Sequence, residues 1–104
     1  MIIYNVTTKV DRSAHAAWLK WMERIYLPVV MESGTVEQYR LARLLGVDES
    51  DGITYALLLT FSSRPAFNIY QEKHALTFQK MIDEEWKGRL VSFPSMLDVV
   101  ASGE

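Results

Sequence analysis

A chain of 104 residues that is 49% apolar, 23% charged and 12% aromatic has the make-up of one ordinary globular domain, expected over residues 1–104, and can bury about 65% of the surface its unfolded form exposes. Eleven basic against thirteen acidic residues leave a net charge of −2, with no electrostatic pull towards nucleic acid or an anionic membrane. Cysteine is absent, which excludes disulfides, thiolate metal sites and thiol nucleophiles and suits a reducing compartment.

The opening MIIYNVTTKV has no basic lead and alternates polar with apolar residues, so it reads as a strand and not as a secretory signal. A cytoplasmic location is expected. No apolar run reaches the ~20 residues of a membrane-spanning helix. Ile2, Tyr4, Val6, Thr8 and Val10 share one face of this strand, and Ile3, Asn5, Thr7 and Lys9 the other. Asp11 or Ser13 then offers a side-chain oxygen to the free amides of a helix.

That helix, residues 15–34, carries the largest side chains. At about 100° per residue, Ala14, Trp18, Trp21, Met22, Ile25 and Val29 fall on one face, with Lys20, Glu23 and Arg24 opposite. Pro28 cannot donate to the Arg24 carbonyl and disfavours helix at Leu27, which predicts a kink or an early end. Gly34 supplies the stop.

Two strands follow, at roughly residues 36–45 and 53–61, joined by GVDESDG, whose Asp-Gly pair suits a hairpin turn. In the later strand Ile53, Tyr55, Leu57, Leu59 and Phe61 make one wholly apolar face, so it is expected at the centre of a sheet. Ser62 and Ser63 before Arg64-Pro65 signal a second helix, continuing to about Lys87 before a stop at Gly88. Its inward stripe is Phe67, Tyr70, His74, Phe78 and Met81, with Ile82 beside it. Ile69 and Leu76 fall on the outer side, so either this helix breaks near His74 or its outer face meets a partner. A last strand at residues 90–100 alternates Val91, Phe93, Leu97 and Val99 and contains Pro94, which predicts an edge position.

The order βαββαβ, with its middle strands in a hairpin, predicts an α+β, ferredoxin-like fold: a four-stranded antiparallel sheet in the order 4-1-3-2 with two helices on one face. The other face carries Ile3, Leu58 and either Leu41 or Leu44, a mixture that predicts a homodimer packed sheet to sheet.

The opening MIIYNVTTKVD, AWLKWM followed by LPVVMESG, the tracts YRLARLL and DGITYALLLTF, and the EKHA of the second helix resemble a small bacterial family of uncharacterised domains over nearly the whole chain. The family is similar in turn to the dimeric α/β-barrel superfamily, which implies the dimer derived above. That superfamily includes cofactor-independent monooxygenases, mutarotases, haem-handling proteins and members with no known activity. Relatives often have histidine two residues before the proline, where this chain has Tyr26, and a base at that position is lost because tyrosine's pKa of ~10 keeps it protonated. Relatives also commonly follow the His-Ala pair with proline. Leu76 stands there instead, which implies a more continuous second helix.

His74 is the sharpest candidate for chemistry, since an imidazole in an apolar stripe can act as acid, base or ligand near pH 7; the alternative is a core histidine bonded to a carbonyl or a tyrosine. Tyr26 lies on the flank of the first helix beside Pro28, placed to aim its hydroxyl into a cavity. Trp18, Tyr55 and Tyr70 complete a candidate ligand set, although each also reads as ordinary core. His15 reads as a solvated or capping residue, and Arg40 and Arg43 as opposite-facing residues, one of them directed at the bare face or a pocket unless a surface ion pair takes it. The two histidines carry no metal-ligand spacing, and phosphate loops, serine-nucleophile motifs and dinucleotide fingerprints are missing, so no metal and no cofactor are expected. The leading expectation is a cytoplasmic homodimer that binds a small apolar or aromatic ligand between helices and sheet. The alternatives are an enzyme, monooxygenase- or isomerase-like, in which His74 moves a proton and Tyr26 or another tyrosine orients the substrate, and a non-catalytic dimerisation module.

Overall fold

The computed structural model describes residues 1–104. Its elements are β1 (Ile2–Val10), α1 (His15–Trp21), a π-helical turn (Met22–Tyr26), α2 (Leu27–Glu32), β2 (Gln38–Arg43), β3 (Ile53–Phe61), α3 (Arg64–Lys73), α4 (Ala75–Trp86) and β4 (Leu90–Asp98). The sheet order is β2-β3-β1-β4 with every pair antiparallel, so the ferredoxin-like arrangement expected from the sequence is the one found. No helix is long and apolar enough to cross a membrane.

Register assigns the two faces. Ile2, Val6 and Val10 of β1 stand opposite Phe61, Leu57 and Ile53 of β3 and face the helices. The alternate residues Ile3, Asn5 and Thr7 face outward beside Leu97, Ser95 and Phe93 of β4. Leu41 pairs with Leu57 and therefore faces the helices, so it does not belong to the bare face. β4 is an edge, which leaves Pro94 room for its missing donor. Its apolar residues Val91, Phe93 and Leu97 project outward, 56%, 67% and 46% exposed.

Several local expectations change. α1 starts without a side-chain cap, because the Asp11 backbone carbonyl accepts from the amides of Ala14 and His15 at 2.9 and 3.0 Å. In the β2–β3 connection Gly46, and not Gly52, takes the left-handed conformation, while a Cβ on Gly52 would lie 3.0 Å from the Val10 carbonyl. Ser63 does cap α3, accepting from the Ala66 amide at 3.2 Å. The long second helix breaks at His74, so Leu76 in place of proline does not make it continuous.

The largest change is inside the first helix. Pro28 neither ends it nor stands at a simple kink: a π turn precedes the proline, with the Leu27 amide reaching back to the Met22 carbonyl. The extra residue turns Tyr26 inward, 5% exposed, and leaves Ile25 49% exposed, reversing the order that a regular helix gives.

Candidate functional site

A slender cavity of about 30 Å3, room for roughly two water molecules, lies between the helices and the middle of the sheet. Val6, Leu57 and Leu59 form its floor. Trp18, Met22 and Tyr26 from the first helical segment and Ala75 and Ile82 from α4 roof it. Tyr4, Tyr55 and Tyr70 add three more phenols to that of Tyr26, and Thr8 and Ser92 close one end with their hydroxyls 3.0 Å apart. Leu41 and Tyr55 are walls of this cavity and also of an open groove of about 770 Å3, which runs between Leu19, Glu23 and Leu27 on one side and β2 on the other. The two spaces therefore meet at Leu41 and Tyr55.

Each wall has a local cause. The π turn delivers Tyr26, whose ring stacks on Trp21 at 5.6 Å and meets Phe78 edge-on at 6.3 Å. Tyr70 ends the regular part of α3, one turn before the break, and packs on Phe61 at 5.2 Å. Tyr55 comes from the central apolar strand and packs against Trp18 at 5.0 Å.

Burial dominates the electrostatics. It pushes the Tyr26 phenol far above its ordinary value, with Tyr70 and Tyr4 adding to the shift, and it pushes Tyr70 up to about 12. Tyr4 is raised by burial as well. At Tyr55 burial again leads, opposed by the Arg43 charge and reinforced by Glu49. All four phenols keep their protons at neutral pH and act as hydrogen-bond donors, not bases.

Of the residues singled out in the sequence, Tyr26, Trp18, Tyr70 and Tyr55 line one cavity. His74 is not among its walls. It is half-buried at the junction of α3 and α4, its ring stacked on Phe78 at 5.5 Å and 11°. His15 is partly exposed and makes a contact beyond the solvated or capping role: Nδ1 lies 3.1 Å from the Tyr55 hydroxyl. Arg43 forms the surface ion pair, bonding Glu49 through Nε and Nη2 at 2.9 and 2.6 Å, while Arg40 pairs with Leu58 on the bare face. Sequence reasoning misses two features. One is the His15–Tyr55 bond, which joins residues 40 apart. The other is Nε1 of Trp18, buried and without any acceptor.

The family model of a domain of unknown function, DUF4286, matches residues 1–100, and the chain belongs to that family. No curated protein matches it in sequence. Among solved structures, a dimeric ferredoxin-like protein from an uncultured marine organism superposes with a TM-score of 0.74 at 10% identity, covering 100% of this chain and 99% of its own. The heme-degrader MhuD from Mycobacterium tuberculosis, solved with two hemes bound in its active site, gives 0.74 at 14% identity over 100% of both chains. SnoaB, a cofactor-independent oxygenase from Streptomyces nogalater, gives 0.66 at 12% identity over 97% of this chain and 95% of its own. At such identities these likenesses carry the fold alone.

Proposed function

We propose that this member of the family is a homodimeric domain of a reducing compartment, the cytoplasm, that binds a small apolar or aromatic ligand between its helices and its sheet. The observation that carries the reading is the aromatic cavity that meets an open groove at Leu41 and Tyr55. The cavity by itself is too narrow for an aromatic ring, so the ligand lies along the groove and enters by displacing the Tyr55 side of the wall.

The dimer is supported by the outward face of the sheet, where Val91, Phe93 and Leu97 of β4 and Ile3 of β1 leave apolar side chains at the surface among Asn5, Thr7, Lys9 and Ser95. A two-fold contact buries the same patch on both copies. Native mass spectrometry of protein purified from its own cells tests both parts. The expected mass is twice 12.0 kDa plus a small adduct; a bare single chain refutes the proposal.

The enzymatic alternative assigns proton transfer to His74 and substrate orientation to Tyr26. Tyr26 lines the cavity, which supports its half of that reading, and His74 lies outside the lining. Should a turnover be found, loss of one limb of its pH profile in His74→Ala is the result this alternative requires.

A further inference from the structure

The cavity ends against Tyr55, in the same cross-strand row as the Thr8–Ser92 hydroxyl pair, and this is the end that meets the groove. Tyr55 is the wall between the two spaces. Its hydroxyl is held by Nδ1 of His15, the first residue of α1. One turn along, Trp18 packs its ring on Tyr55; it is 2% exposed, and its Nε1–H has no acceptor. A neutral imidazole, a phenol and an indole bring three N–H or O–H donors between them. When Nδ1–H of His15 donates to the Tyr55 oxygen, the phenol O–H and the indole N–H are the two donors left at this junction. The indole nitrogen is shielded from solvent, and the ring that carries it lines the cavity. Buried donors without partners are rare in folded proteins; the chain has a second, Nε1 of Trp86, but of the two only Trp18 lines the cavity.

The acceptor is more narrowly defined by its surroundings. A carboxylate here would need a cation, and the guanidinium opposite Tyr55 in the sheet, that of Arg43, is already engaged by both oxygens of Glu49. The remaining walls are mostly apolar, and burying an unpaired charge among them is costly. A neutral oxygen that accepts and does not donate fits two donors set among mostly apolar walls.

The geometry points to a carbonyl subsite at this junction: a flat, otherwise apolar ligand places its carbonyl oxygen between the Tyr55 hydroxyl and the Trp18 indole N–H. His15 is a positioning residue that fixes the Tyr55 hydroxyl. This inference rests on the ligand-binding reading of the cavity and names the chemistry of what it takes.

Two probes of one shape test it: 1-tetralone, a bicyclic ketone, and tetralin, the same skeleton without the oxygen. Each is titrated into the intact protein and followed by the indole N–H resonance of Trp18 and by its dissociation constant. The ketone is expected to move that resonance downfield and the hydrocarbon is not. Tyr55→Phe, which keeps the ring, weakens the ketone about three- to tenfold, the scale of one neutral hydrogen bond, and leaves the hydrocarbon within about twofold. His15→Ala weakens the ketone by less, and adds nothing further once Tyr55 is phenylalanine, because it acts through that hydroxyl. If both probes bind and Tyr55→Phe treats them alike, the carbonyl subsite is overturned while the ligand-binding reading stands. If neither probe binds, both are overturned.

Discussion

The π turn can be tested against a regular helix by comparing two adjacent side chains. Ala14, Trp18, Met22, Tyr26 and Val30 are all buried, at a spacing of four. In a regular α-helix each step of four overshoots a full turn by about 40°, so such a stripe would wind away from the core over four steps. The wider turn at Met22–Tyr26 takes up the excess and keeps Tyr26 and Val30 facing the sheet. Tyr26→Ala removes a ring that stacks on Trp21 and meets Phe78, and by comparison with other large buried aromatics should cost about 3–5 kcal/mol. Full burial of an isoleucine is worth about 1.5–3 kcal/mol, and Ile25 is 49% exposed, so Ile25→Ala should cost about 1 kcal/mol. Urea unfolding at one fixed protein concentration reads the difference, the fixed concentration being essential for a dimer. With a slope of about 2 kcal/mol per molar, the midpoint falls by about 2 M for Tyr26→Ala and about 0.5 M for Ile25→Ala. Equal losses, or a larger one at Ile25, would show that the helix runs regularly through this segment.

Two further outcomes follow from the surface and the phenols. Phe93→Lys places a charge in the middle of the outward apolar face; light scattering should then give the mass of one 12.0 kDa chain with an unchanged circular dichroism spectrum, and a persistent dimer would locate the interface elsewhere. Alkaline titration at 295 nm should show fewer than five phenolates at pH 11 in the folded protein, since Tyr4, Tyr26, Tyr55 and Tyr70 are all raised, and five near pH 10 in urea. The sign for stability is that of a raised acid: the contribution is complete below about pH 10, where the unfolded phenols are still protonated, and is lost as pH rises towards about 12, the value of Tyr70. Simultaneous titration of all five near pH 10 without unfolding would refute the burial of these hydroxyls.

The fold was largely legible because its signals are strong and local. The alternation of β1 and β3, the serine cap at Ser63 and the glycine stops at Gly34 and Gly88 each report on one element. The central place of β3 and the edge place of β4 follow from one apolar face and one proline. The site was legible in part, and the shortfall has physical causes. Burial of Tyr26 depends on a change of helical period, which a fixed 100° projection cannot represent, although the run of large residues four apart before Pro28 carries its trace. The placement of His74 depends on a break that no proline or glycine marks. The contact of His15 with Tyr55 closes a gap of 40 residues and leaves no local pattern at all.

A helix that changes period and a buried indole donor without an acceptor border the same cavity. Natural sequences keep their local rules consistent except where a site demands otherwise. The π turn exchanges an aliphatic side chain for the Tyr26 phenol at one end of the roof, and Trp18 holds its N–H one turn away from His15 at the other. The Tyr26 hydroxyl is partnered by Tyr70, whereas the Trp18 N–H has no acceptor. An open indole donor does nothing for a packed core, and it is what a ligand with a neutral accepting oxygen requires.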